Sequence, residues 1–158
     1  MRLIVSITLL AAGMAALPGC ASVAPVEHNK RIVQRVFDEV LNQGRYQLFD
    51  DAYAANFAKH VDGRTETLAE EREDAKGTRA IASDLVMTVD AMVAENDKVA
   101  VLYTGRGTHD GPLGNTPATG RRFILTGMTL YRFADGKIVE EWTVYNELEM
   151  LRQMGLSK

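Results

Sequence analysis

The first strong pattern along the chain is a stripe of apolar residues at helical spacing. Its members are Ile32, Val33, Val36, Phe37, Val40 and Leu41. Steps of one, three and four place these side chains on one face of an α-helix, and Gly44 is suited to its end. The spacing of Tyr46, Phe49 and Tyr53 predicts a second, shorter helix, which a short strand over 57–61 follows.

A charged stretch separates this helical part from the remainder of the chain. Residues 62–76 mix acidic and basic side chains and contain few large apolar groups. The pattern predicts a solvated helix or loop, and Glu66 and Glu71 are interpreted as part of that solvated surface.

From residue 85 onward the apolar positions alternate with polar ones, as in strands with one buried face. The predicted strands are 85–93, 99–108, 121–133 and 138–145. Polar turns at 95–98 and at Asp135-Gly136 make two hairpins, and a Gly- and Pro-rich loop over 111–120 joins them. The spacing of Leu148, Leu151 and Met154 predicts a short closing helix.

Helices followed by antiparallel strands are typical of an α+β fold, in which the helices cover one face of a strongly bent sheet and enclose a pocket. The chain has 158 residues, of which 46% are hydrophobic and 25% charged, as expected for one globular domain. Its net charge of −3 argues against nucleic acid as a partner, because such binding needs a basic face.

The N-terminal residues form a separate unit. Arg2 is followed by an apolar stretch over 3–17 and then by Leu17-Pro18-Gly19-Cys20, which predicts a signal peptide. The stretch is shorter than the roughly 20 residues that a membrane-spanning helix needs. The sequence before Cys20 resembles the lipobox of bacterial lipoproteins, although an ordinary secretory leader with an incidental cysteine is the alternative.

This resemblance implies three parts and a location. Residues 1–19 are a signal peptide that is removed, residues 20–27 are the lipidated Cys20 and a tether, and residues 28–158 are the folded domain. Such a protein is held at the membrane by its lipid anchor, in the bacterial cell envelope and facing the periplasm. Ala21 after the cysteine favours the outer membrane over the inner one.

Four further segments resemble the SnoaL-like polyketide cyclase family, also called ester cyclases. They are GTHDG at 107–111, PATGRR at 117–122, YRFADGKIVEEW at 131–142 and LRQMG at 151–155. The resemblance implies a nuclear transport factor 2-like cone that is usually a homodimer through its sheet. It also implies a pocket for a hydrophobic small molecule, in which characterised cyclases close a polyketide ring by aldol condensation without a cofactor or a metal.

The chain departs from the family at the positions that carry this chemistry. By the resemblance, the catalytic aspartate of the family falls on Thr143 and a histidine falls on Thr129. A threonine hydroxyl has no usable pKa near neutrality, so it cannot replace a carboxylate as general base. The resemblance therefore supports the family's fold for this chain more strongly than it supports the family's reaction.

Glu141 is the best substitute base in the sequence. Strand alternation places Glu141, Thr143 and Tyr145 on one face, where an apolar pocket would raise the pKa of the Glu141 carboxyl. The alternative is that Glu141 forms an ion pair with Arg106 or Arg132 of the neighbouring strands.

His109 is the second candidate for catalysis, because it ends a strand before the loop over 111–120 and has an unperturbed pKa near 6.5. The alternative is a loop histidine that bonds to backbone. The predicted pocket residues are Thr129, Thr143, Tyr103, Tyr131, Tyr145 and Phe123. No metal site is predicted, because the three histidines are scattered without metal-ligand spacing.

Two functions remain open at this point. The first is a cofactor-free cyclase or isomerase acting on a hydrophobic carbonyl compound, with Glu141 or His109 as base. The second is an envelope-anchored module that binds a small molecule or another protein and catalyses nothing.

Overall fold

The computed structural model describes residues 23–157. The helices are α1 (Val23–Arg35), α2 (Phe49–Ala52), α3 (Leu68–Ile81) and α4 (Glu147–Met154), with a π-helical segment (Val36–Leu41) after α1 and a 3-10 turn (Tyr46–Leu48) before α2. The strands are β1 (Tyr53–Val61), β2 (Arg64–Thr67), β3 (Val86–Glu95), β4 (Lys98–Thr108), β5 (Arg122–Ala134) and β6 (Lys137–Tyr145).

All six strands belong to one mixed sheet with the order β2-β1-β6-β5-β4-β3. Every neighbouring pair is antiparallel except β1 and β6, which run parallel. The helices pack against one face of the sheet, whose inward side chains form the core with those of α1 and its π-helical extension. The predicted α+β architecture is confirmed.

The first helix is longer than the sequence indicates. Its apolar stripe is buried as predicted, with Val33 and Phe37 at most 1% exposed, and Gly44 takes the left-handed conformation (φ +67°) beyond its end. However, α1 begins at Val23 rather than near 28, so most of the tether expected over 20–27 is helical. Pro25 lies in the first turn, where a proline removes no helical hydrogen bond. Cys20 lies outside the described residues.

The spacing predicted that Tyr53 belongs to the second helix, and this is wrong. Tyr53 begins β1 with extended backbone (φ −111°, ψ 149°). Its ring lies between those of Phe49 and Phe57, with centroids 5.2 and 4.8 Å away. This aromatic contact fixes the corner between α2 and the sheet.

The alternation predicted for 85–93 holds only as far as Val89. The register between β3 and β4 shifts between Val89 and Ala91, so Asp90 is an extra residue that reverses the faces of the side chains after it. Val93, predicted to face inward, is 69% exposed, while Met92 packs against the core.

The stretch over 62–76, predicted to be a solvated helix or loop, forms the short strand β2 and the first part of α3, whose side chains are mostly exposed. Thr67 starts α3 with a capping box in which its hydroxyl accepts from the Glu70 amide and Glu70 accepts from the Thr67 amide, which stabilises the helix start. The interpretation of Glu66 and Glu71 as solvated is wrong, since each is only 7% exposed. Within residues 23–157, no helix combines the length and the apolar character needed to cross a membrane.

Candidate active site

A cavity of about 410 Å³ lies between the concave face of the sheet and the helices. Its apolar wall includes Phe37, Tyr53, Tyr103, Phe123, Leu125, Tyr131 and Met154. Its inner polar groups are the half-buried Lys59 and the buried Glu66, Glu71, Thr129, Glu141 and Thr143. Its exposed rim includes Arg64, Asp74, Thr78, Tyr145 and Glu147. The volume falls in the range of about 300–1,000 Å³ that small-molecule pockets occupy.

The last strand turns its odd-numbered residues into this cavity. Glu141, Thr143 and Tyr145 all line it, while Trp142 and Val144 are exposed on the other face of the sheet. The other four predicted pocket residues, Thr129, Tyr103, Tyr131 and Phe123, line the cavity as well. Their part in ligand binding stays a prediction.

A chain of hydroxyls leads to the Glu141 carboxyl. Thr143 Oγ1 donates to Glu141 Oε1 at 2.7 Å, and Thr129 Oγ1 lies 2.8 Å from Thr143 Oγ1. Because the Thr143 proton is engaged with Glu141, Thr129 is the donor to Thr143. Thr129, Thr143 and the Glu141 carboxyl thus form one continuous series of hydrogen bonds.

Glu141 has no cationic hydrogen-bond partner in the described part of the chain. It is 4% exposed, and its Oε2 atom is buried without a hydrogen bond. Arg132 does not pair with it but binds Glu140 on the outer face, at 2.6 Å from Nη2 to Oε2, and Arg106 is exposed. Burial, reinforced by the charge of Glu71, raises the pKa of Glu141 to about 8.

A buried ion cluster that the sequence interpretation missed lies beside this carboxyl. Lys59 Nζ lies 2.5 Å from Glu71 Oε2 and 3.5 Å from Glu66 Oε2. The longer contact is electrostatic, because Glu66 Oε2 makes no hydrogen bond. Burial by itself would lower the pKa of Lys59, but the surrounding carboxylates raise it above its ordinary value.

The signal for Lys59 was present in the strand pattern. In β1, Lys59 stands two residues from Phe57 on one side and from Val61 on the other, and both of these are buried. Side chains two apart share a face of a strand, so the burial of its two neighbours indicates that Lys59 also points inward. The burial of Glu71 had no such signal, since it lies in a run of charged residues.

The tyrosines of the cavity are hydrogen-bond donors rather than bases. Burial raises the pKa of Tyr103 to about 12 and raises the pKa of Tyr53 and of Tyr131 well above 10. These phenols remain protonated at neutral pH and can donate to a ligand oxygen.

His109 is placed away from this group. Its side chain is completely buried, its Nδ1 accepts from the Thr119 amide at 3.3 Å and lies 3.0 Å from Thr119 Oγ1, and it is not among the residues that line the cavity. The geometry favours the alternative, a histidine that holds the loop over 111–120 by a bond to backbone. Among residues 23–157, no three His, Cys, Asp or Glu side chains converge as metal ligands.

The fold and the site together define a nuclear transport factor 2-like cone whose pocket holds an unpaired carboxyl. The chain belongs to the SnoaL-like polyketide cyclase family, whose model matches residues 31–154.

Several solved structures share this fold. AclR from Streptomyces galilaeus, provisionally described as a hydroxylase, is 24% identical over 82% of this chain and 97% of its own, with a TM-score of 0.76. IdmH from Streptomyces antibioticus, provisionally described as a polyketide cyclase, is 27% identical over 80% of this chain and 98% of its own (TM-score 0.72). A protein from Jannaschia sp. CCS1, provisionally described as a SnoaL-like polyketide cyclase, is 20% identical over 92% and 100% (TM-score 0.77). Comparison with the curated proteins gave no match.

Proposed function

We propose that this protein catalyses cofactor-independent proton transfer on a hydrophobic carbonyl compound, as an aldol-type cyclisation or an isomerisation, with Glu141 as the acid and base. The observation that carries the proposal is the buried Glu141 carboxyl, which lines the cavity, has no cationic hydrogen-bond partner within residues 23–157, and has a pKa raised to about 8. General acids and bases work best when their pKa lies near the operating pH.

In the proposed reaction, Glu141 both removes and returns the same proton, so no other acid or base is needed. The Glu141 carboxylate removes a proton from the carbon next to a carbonyl, which leaves an enolate and a neutral carboxyl. The enolate carbon then attacks a second carbonyl of the same molecule, and the Glu141 carboxyl returns the proton to the new alkoxide. The phenols of Tyr103 and Tyr131, both in the cavity wall, are suited to donate hydrogen bonds to the developing oxyanion.

Glu141 can take over a role whose family position is Thr143, because both lie on the same face of β6 two residues apart. The hydroxyls of Thr143 and Thr129 support this arrangement, since they orient the Glu141 carboxyl. The similarity to IdmH, itself provisionally described as a polyketide cyclase, supports a ring-closing substrate class.

The second candidate is a module that binds a hydrophobic small molecule without converting it. It is supported by the hydrogen bond between Thr129 and Thr143, because the family resemblance implies a catalytic histidine and aspartate at these two positions. In this case Glu141 serves as a neutral hydrogen-bond donor to the ligand.

Turnover separates the two candidates. We expect the wild-type protein to cyclise model polyketide esters and Glu141→Gln to lose about 100-fold or more of the rate, as removal of a general base does. Glu140→Gln is the matched control, because Glu140 is the adjacent residue but is bonded on the outer face to Arg132 and His60. Equal rates for wild type and Glu141→Gln contradict the assignment, and ligand that co-purifies without turnover supports the binding module.

We further propose that two copies associate through the outer face of the sheet. Leu102, Met128, Trp142 and Val144 expose apolar surface there, and one such patch on each copy makes a self-complementary interface. Light scattering should give a dimer for wild type and a monomer for Met128→Glu. A monomeric wild type contradicts the proposal.

We also propose that the protein is a lipoprotein of the bacterial cell envelope, anchored through Cys20 and preferring the outer membrane. The basis is the lipobox-like Leu17-Pro18-Gly19-Cys20 sequence. Metabolic labelling with a palmitate analogue should mark wild type and leave Cys20→Ala unlabelled. Equal labelling of both would contradict this anchor.

A further inference from the structure

Lys59 is the direct cross-strand neighbour of Glu141, yet it hydrogen-bonds elsewhere. The two residues are paired at Cα in the parallel β1–β6 contact, and both line the cavity. The Lys59 ammonium is instead held 2.5 Å from Glu71 Oε2, while Glu141 Oε2 has no hydrogen bond among the described residues.

We propose that Glu71 is a positioning residue: by binding Lys59 from helix α3 it keeps the ammonium off Glu141 and leaves that carboxyl unpaired in the cavity. Glu66 of β2 assists at 3.5 Å. The proposal rests on the proposed function for its catalytic meaning, but it concerns the protonation of Glu141, which is measurable without a substrate.

The carboxyl groups of Glu71 and Glu141 compete for the ammonium of Lys59. An opposite charge within about 4–6 Å lowers a carboxyl pKa by roughly 1–3 units, so a Lys59 released to its strand neighbour would ionise Glu141 at neutral pH. Glu71 prevents this in two ways, because it holds the ammonium and because its own negative charge opposes ionisation of Glu141. Without Glu71, Glu141 would rest near neutrality as a carboxylate paired with Lys59, and that ion pair would lower its basicity.

Several elements around the cavity contribute charged and titratable groups to its lining. The charged and titratable ones are Tyr53 and Lys59 on β1, Arg64 and Glu66 on β2, Glu71, Asp74 and Arg79 on α3, Tyr103 on β4, Tyr131 on β5, Tyr145 on β6 and Glu147 on α4. Arg79 is engaged with backbone, since it donates to the carbonyls of Leu41, Asn42 and Leu85. The tyrosines have raised pKa values and stay neutral, and the rim charges Arg64, Asp74 and Glu147 are exposed. Lys59, Glu66 and Glu71 are therefore the buried charges that act on Glu141.

The test is a titration of the protein labelled with ¹³C at the glutamate carboxyls, followed by NMR. The Glu141 signal is assigned by its loss in Glu141→Gln. We expect its midpoint to fall by about two pH units in Glu71→Gln and to return to the wild-type value or higher in Lys59→Met/Glu71→Gln. Glu66→Gln should give a smaller fall, and it provides a second variant should Glu71→Gln fold poorly.

The matched control is Glu73→Gln, which removes an exposed carboxylate from the same helix and should leave the midpoint unchanged. An unchanged midpoint in Glu71→Gln overturns the proposal. So does a low midpoint that persists after Lys59 is also replaced, because Lys59 would then not be the group released. If the wild type and the variants show the expected midpoints but the wild type cyclises no substrate, the positioning role is supported and the proposed function is overturned.

Discussion

Replacing Glu141 by glutamine should remove a pH-dependent loss of stability from this protein. The carboxyl has an ordinary pKa of 4.5 in the unfolded chain and about 8 in the folded one. Between these values the folded state binds more protons than the unfolded state, so the free energy of unfolding falls as pH rises. The stabilising contribution of the Glu141 proton to the free energy of unfolding is complete below about pH 4.5 and is lost above about pH 8.

The magnitude follows from the size of the shift. Each pH unit in this window costs about 1.4 kcal/mol for one proton, and the window spans about 3.5 units between the two values. The whole effect is therefore about 5 kcal/mol, a large fraction of the roughly 5–15 kcal/mol by which domains are stable. Glu141→Gln keeps the shape of the side chain and cannot ionise, so its free energy of unfolding lacks this pH-dependent contribution.

Urea unfolding followed by circular dichroism at several pH values between about 5 and 9 measures the difference between the two proteins. Groups far from Glu141 titrate alike in both proteins and cancel in that difference, which leaves the contribution of Glu141 together with that of its coupled neighbours Lys59 and Glu71. Glu73→Gln is the control, because its exposed side chain should give a constant difference from wild type. If wild type and Glu141→Gln differ by the same free energy at pH 5 and pH 9, Glu141 is not buried as a neutral acid.

Three further results are expected. The kcat/KM for cyclisation should rise with pH to a plateau with a midpoint near 8, because the carboxylate is the base; a flat profile contradicts that role. Gly127→Ala should destabilise the protein by about 1–3 kcal/mol in thermal unfolding, since its Cβ would clash with the Tyr103 hydroxyl; an unchanged Tm contradicts that close packing. Thr67→Ala should cost about 1 kcal/mol by loss of the α3 cap and leave the Glu141 midpoint in place; a shifted midpoint would show that the cap positions the ion cluster.

The sequence by itself determined most of the helices and strands and the inward face of the last strand. Helical spacing identified the stripe from Val33 to Val40, and alternation placed Glu141 and Thr143 on one side of β6, because both patterns are local properties of the chain. Where an irregularity interrupts a pattern, as Asp90 does in β3, periodicity alone gave the wrong face.

Only the tertiary structure decided the charge state of the site. Lys59 and Glu141 become neighbours through a parallel pairing of strands far apart in the chain, and Glu71 reaches them because α3 packs over β1. A run of charged residues carries no local sign that one of them will be buried. The pKa of Glu141 depends on which carboxylate binds the Lys59 ammonium, and only the three-dimensional contacts determine this.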